Sequence, residues 1–191
     1  METMDSEVAR IKELCNSKPF TMVMFLTNWN KDLPPWEADP VMGDEPFGKG
    51  APETLAFITE QVIPAVAVES TKEIILGGYS LAGLFTLWAA YQTDVFTGVA
   101  AASPSVWYPG WDTYSQEQEI KTGNIYLSLG TKEEKTRHPL MKTVGDNIRR
   151  QAECLQEDPN SMNVTLEMNP GNHFKEPDLR MAKGFAWVMN K

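Results

Sequence analysis

The run Glu73-Ile74-Ile75-Leu76-Gly77-Gly78-Tyr79-Ser80-Leu81-Ala82-Gly83-Leu84 constrains this chain more than any other segment. It begins as an apolar stretch of strand length, meets a serine, and continues to Gln92 as an almost wholly apolar stretch of helix length. A serine at such a strand-to-helix turn reads as a nucleophile elbow, in which a strained backbone projects the hydroxyl from the sheet edge. The residues two before and two after the serine crowd together in that turn, so both must be small, and Gly78 and Ala82 are. The turn also puts Ser80 at a helix N-terminus, where free backbone N–H groups and the helix dipole favour a developing oxyanion.

The rest of the chain fits one domain over residues 1–191, with residues 1–18 as an N-terminal helical extension. A hydrophobic fraction of 42% and a charged fraction of 23% are those of a soluble globular protein. No run approaches the roughly 18 apolar residues of a membrane helix, and Met1 to Arg10 lacks an apolar signal core. A cytoplasmic protein is expected. Cys15 and Cys154 have no CxxC partners and read as free thiols. The net charge of −9 argues against nucleic acid and anionic membrane surfaces. With two histidines and no HExxH spacing, a metal site has no support, and there is no GxGxxG or Walker loop.

Hydrophobic spacing predicts a helix over Asp5 to Asn16 and a strand over Phe20 to Leu26. A long irregular stretch follows from Thr27 to Gly50. A helix over Pro52 to Val68 is expected to kink or end at Pro64. After the elbow, strands are expected at Gly98 to Ala102, Asn124 to Leu129 and Asn163 to Met168, and helices at Pro139 to Gln156 and Asp178 to Met189. Five strands in alternation with helices predict an α/β fold, a mainly parallel sheet covered on both faces. Reactive groups in such sheets lie just past the carboxyl ends of the strands.

A serine hydroxyl needs a general base, and the base needs a group that fixes its tautomer. His173 lies after the fifth expected strand, at the carboxyl edge, and is the favoured base; His138, in a charged run before Pro139, is the weaker candidate. The acid should follow another strand at the same edge, where the chain reads Gly130-Thr131-Lys132-Glu133-Glu134, with Glu133 favoured over Glu134. The order Ser80, Glu133, His173 is that of α/β-hydrolases. For an oxyanion hole the backbone N–H of Leu81 is one expected donor, and that of Asn28 or Trp29 the second. Trp36, Trp107, Tyr108 and Trp111 either wall an apolar substrate pocket, pack as loop cores, or line the interface of a homodimer.

Gly78-Tyr79-Ser80-Leu81-Ala82-Gly83 and Gly171-Asn172-His173-Phe174 resemble the esterase D and enterochelin-esterase-type branch of the α/β-hydrolase superfamily. Ser103-Pro104-Ser105-Val106-Trp107 and Gly130-Thr131-Lys132-Glu133 add to the resemblance, which runs from Phe20 to Trp187. It implies a cofactor-free serine hydrolase that cleaves small carboxylic esters through an acyl-enzyme. The compact chain implies that the leading antiparallel strands of longer members are missing and that the site is open. Two alternatives remain at this point: an acyltransferase on the same scaffold, and a non-catalytic binding protein of the hydrolase fold.

Overall fold

A computed structural model describes residues 2–15, 18–41, 43–67 and 73–191. Among them are helices α1 (Glu2–Leu14), α2 (Trp29–Asp32), α3 (Ala51–Phe57) and α4 (Ile63–Val66). There follow strand β1 (Ile75–Tyr79), helix α5 (Leu81–Gln92), β2 (Gly98–Ala102), α6 (Trp111–Glu117) and β3 (Asn124–Gly130). The chain ends with α7 (Val144–Glu157), β4 (Asn163–Asn169) and α8 (Pro177–Met189). The fold is α/β. Four parallel strands pair in chain order, β1-β2-β3-β4, with Tyr79 beside Ala102, Ala102 beside Ser128, and Gly130 beside Asn169.

Helices cover both faces, and the sequence explains how they come close. On one face lie α5 and α7, which join successive parallel strands. Ten of the twelve residues of α5 are buried, so it is a core helix rather than a surface one, in keeping with its unbroken apolar sequence. By contrast α7 is amphipathic, turning Val144, Ile148, Ala152 and Leu155 inward. On the other face α8 crosses β1, β2 and β3. A side chain at Gly77 would strike the rings and methyl of Phe185 and Met181, so glycine there admits α8. The outer side of α8, Ala182 and Ala186, is covered by Ile11 of α1 and by Cys15 just after it. Asp178 binds the two together by accepting from Ser6 Oγ and Arg10 Nε, both at 2.8 Å.

Phe20 to Leu26 is not a strand. Phe20, Met22 and Phe25 turn inward, but Val23 and Met24 are exposed and Leu26 is fully so, and residues 19–27 make no backbone hydrogen bonds among the described residues. An apolar run of strand length becomes a strand only when a ladder partner is available. The first of the five expected strands is therefore replaced by an irregular segment, and β1 is left as an edge of the four-stranded sheet.

The Pro52 to Val68 helix also differs from expectation. It neither ends nor breaks at Pro64; a π-helical segment, Ile58–Val62, joins α3 to α4. A proline ring clashes with the carbonyl four residues back and lacks the N–H that would bond it, and a wider turn relieves both. Helix α6 was hidden in the aromatic stretch, and α7 is led in by a 3-10 turn, Met141–Thr143. Asn16 and Val68, the ends of two expected helices, lie outside the described residues. Among the described residues no helix is long and apolar enough to cross a membrane.

Candidate active site

At the carboxyl edge of the sheet, Ser80 follows β1 directly and starts α5 with φ 58° and ψ −119°. This is a sparsely populated backbone region that costs roughly 1–3 kcal/mol and persists only where neighbours hold it. They do. Ser80 N–H donates to Ala102 O at 3.0 Å, and Ser80 O accepts from the amides of Leu84 and Ser105, each at 3.0 Å. A Cβ at Gly78 would run into the backbone carbonyl of Ala82, which is the steric reason for glycine two residues before the serine.

His173 stands in the loop between β4 and α8. Its Nε2 lies 3.1 Å from Ser80 Oγ and its Nδ1 lies 2.7 Å from Glu133 Oε2. Glu133, its side chain 5% exposed, sits in the turn after β3. Its Oε1 accepts from Gly130 N–H at 2.6 Å, Ser103 Oγ–H at 2.7 Å and Arg180 Nη1 at 2.8 Å. Burial pushes the Glu133 carboxyl up, yet the hydrogen bonds from His173, Ser103 and Gly130 outweigh it and hold the group below its ordinary value. An ionised carboxylate only accepts, so Nδ1 of His173 carries the proton and Nε2 is left with a lone pair toward Ser80.

The two loops that carry the acid and the histidine are laced together. Thr131 N–H donates to Asn169 O at 2.8 Å, and Lys132 N–H to Gly171 O at 2.9 Å. Tyr79 Oη donates to His173 O at 2.6 Å, and its ring packs 5.2 Å from the imidazole. Phe174, itself exposed, packs edge-on with the imidazole, ring centroids 5.4 Å apart.

Sequence reasoning left Glu134 and His138 as rivals, and both lie elsewhere. Glu134 accepts from Arg149 Nη2 at 3.1 Å on α7, and His138 Nδ1 accepts from Met141 N–H at 3.3 Å. Of the oxyanion candidates, Leu81 occupies the first position of α5, and its amide has no backbone acceptor among the described residues. Asn28 N–H is already given to Asp32 Oδ2 at 2.8 Å, whereas the Trp29 amide opens α2 with no acceptor among the described residues. The amide of Asn28 is thus not free for an oxyanion, because the Asp32 carboxylate accepts it.

The expected aromatic pocket wall takes a different form. Tyr108 and Trp111 are 2% and 1% exposed and are fixed from within, Tyr108 Oη donating to Trp36 O at 2.6 Å and Trp111 Nε1 to Gln151 Oε1 at 2.9 Å. Trp36 covers both, and Trp107 is buried beside Phe47. Large rings in a loop bury more area against one another than against solvent, so they form the core that anchors the loop. A cleft of about 570 Å3 opens instead between Phe25, Leu26, Thr27, Gly50, Thr54 and Phe57, and none of Ser80, Glu133 or His173 lines it.

Three participants escaped the sequence reading: Tyr79, Ser103 and Arg180. Ser103, with φ 45°, follows β2 directly as Ser80 follows β1. Arg180 had a readable signal. In α8 it shares a stripe with Gly184 and Val188 at fourfold spacing, all three buried, and a cation on a buried stripe implies a carboxylate partner.

A strained serine at the end of a parallel strand, with a histidine and a glutamate on the following strand ends, defines the α/β-hydrolase type of enzyme. Residues 21–165 match the family described as "Putative esterase", and the chain belongs to this family of carboxylic ester hydrolases. No curated protein matches the chain by sequence. Among solved structures it is similar to the siderophore hydrolase EstA from Aspergillus nidulans, with 20% identity and a TM-score of 0.79 over 99% of this chain and 79% of that one. It is also similar to siderophore hydrolase EstB from the same organism, with 21% identity and a TM-score of 0.67 over 84% of this chain and 63% of that one. The enterobactin esterase FES from Shigella flexneri is similar at 17% identity and a TM-score of 0.55, over 72% of this chain and 38% of that one.

Proposed function

We propose that the chain hydrolyses small carboxylic esters through an acyl-enzyme, with Ser80 as nucleophile, His173 as general base and acid, and Glu133 as the group that orients His173. Ser80 Oγ attacks the ester carbonyl while His173 Nε2 takes its proton. The resulting oxyanion is met by the Leu81 amide at the N-terminus of α5, with the Trp29 amide as the second donor in this reading. Collapse expels the alcohol, which leaves with the proton from His173. Water then repeats the sequence on the acyl-enzyme, His173 serving again as base, and releases the acid.

The observation that carries this reading is the continuous chain from Ser80 Oγ to His173 Nε2 at 3.1 Å and from Nδ1 to Glu133 Oε2 at 2.7 Å. The direction of proton flow follows from the carboxylate being held ionised. Two similar structures bear the name siderophore hydrolase; in this chain a net charge of −9 disfavours anionic esters and favours neutral ones. Hydrolysis of a series of p-nitrophenyl esters from acetate to octanoate by the wild type and by Ser80→Ala tests the proposal. Turnover falling with acyl length and vanishing in the variant supports it; equal turnover by both proteins rejects it.

A further inference from the structure

We infer that Arg180 is a positioning residue for this hydrolysis, one guanidinium that braces Glu133 and the His173 loop against each other. The inference rests on the serine-esterase reading above. Arg180 lies on α8, apart in sequence from the elbow and from the acid turn, and is 1% exposed. Its Nη1 lies 2.8 Å from Glu133 Oε1, 3.0 Å from Ser103 Oγ and 3.1 Å from Tyr79 Oη. Its Nη2 donates to Asn172 O at 2.8 Å, the residue before His173.

The direction of each bond fits a designed cluster. Ser103 gives its proton to Glu133 and Tyr79 gives its proton to His173 O, so both hydroxyls turn lone pairs toward Arg180. Every donor to Oε1 is then accounted for by Gly130, Ser103 and Arg180, and Oε2 is left for His173. The planar fork of an arginine reaches two directions at once, here a carboxylate and a loop carbonyl, which a single ammonium cannot do. A cation behind the carboxylate also offsets part of the field that Glu133 exerts on the imidazole. The titratable groups touching His173 or Glu133 from the packed elements are Tyr79 on β1 and Arg180 on α8.

The test is Arg180→Met and Arg180→Lys, with active sites counted by a fluorophosphonate and kcat and KM measured on p-nitrophenyl acetate from pH 5 to 9. In Arg180→Met, kcat is expected to fall roughly 100-fold with KM little changed, the mark of an interaction that acts in the transition state. Its acid limb should move to higher pH as the imidazole becomes harder to deprotonate. In Arg180→Lys the charge stays and the fork is lost, so kcat should fall while the acid limb stays in place. A role in folding alone would lower Tm but leave kcat per titrated site and the acid limb unmoved, and that result in Arg180→Met overturns the inference. Should Arg180→Met not fold, wild-type kcat in Arg180→Lys overturns it equally. Absence of any fluorophosphonate adduct on the wild type rejects the esterase reading itself, a different result from a labelled wild type with an indifferent Arg180.

Discussion

The phenolic hydroxyl of Tyr79 donates to the backbone carbonyl of His173 at 2.6 Å, so the last residue of the strand before the serine holds the loop that carries the histidine. Two side chains 93 positions apart in sequence are thereby registered by a bond between their immediate surroundings, not only by their own contact at 3.1 Å. Tyr79→Phe removes this tether and one acceptor of Arg180 while keeping the ring against the imidazole. A hydrogen bond of this kind contributes about 1 kcal/mol, so kcat is expected to drop roughly fivefold with a small loss of Tm. Steady-state kinetics and thermal melting of this one variant check both.

Glu133 and Glu134 separate cleanly by substitution. Glu133→Gln keeps the shape but removes the charge that selects the Nδ1–H tautomer, and should lower kcat roughly 1,000-fold or more. Glu134→Gln loses only an exposed pair with Arg149, and kcat should stay within about twofold. Stability follows a matching rule. Because the folded state holds the Glu133 carboxyl below its ordinary value, its contribution is present above the unfolded value and is lost as pH falls through the folded one. Chemical denaturation at pH 7 and pH 3 should show a smaller pH difference for Glu133→Gln than for the wild type.

Adjacent residues in a charged turn cannot be told apart by pattern, and that is why the acid stayed open in the sequence. What turned Glu133 inward is a tertiary fact: three donors, from Gly130, Ser103 and Arg180, converge on one oxygen. The elbow was legible because its constraint is local, a few consecutive residues whose sizes the turn dictates. The strands β2 and β3 were legible for the same reason, each being a short, largely apolar run, and β4 alternates apolar Val164, Leu166 and Met168 with polar residues. Phe20 to Leu26 has such a run too but no ladder partner, which no local pattern reveals. The aromatic residues after β2 were ambiguous between pocket and core because ring-rich loops serve both, and burial decided for core.

Trp111 offers the test of that core. Truncating a fully buried tryptophan costs roughly 3–5 kcal/mol. Trp111→Ala should therefore lose several degrees or more of Tm, while the relative rates on acetyl, butyryl and hexanoyl esters stay as in the wild type. A changed acyl preference with unchanged Tm would return Trp111 to the pocket.

A pH effect of opposite sign resides in α1. Burial, aided by the charge of Asp178, pushes the Glu7 carboxyl up to about 7. A carboxyl raised on folding is held protonated below that value, so stability declines as pH rises from the unfolded value toward 7. Glu7→Gln should raise Tm at pH 8 and change it little at pH 4. The comparison of the two melts at both pH values checks the sign.

The most direct measurement is reaction of the folded protein with a fluorophosphonate, followed by peptide mapping by mass spectrometry. One adduct per chain, on Ser80, is the expected result, with labelling lost in His173→Ala. An unlabelled protein, or an adduct on any serine other than Ser80, would contradict the assignment of Ser80 as the activated nucleophile.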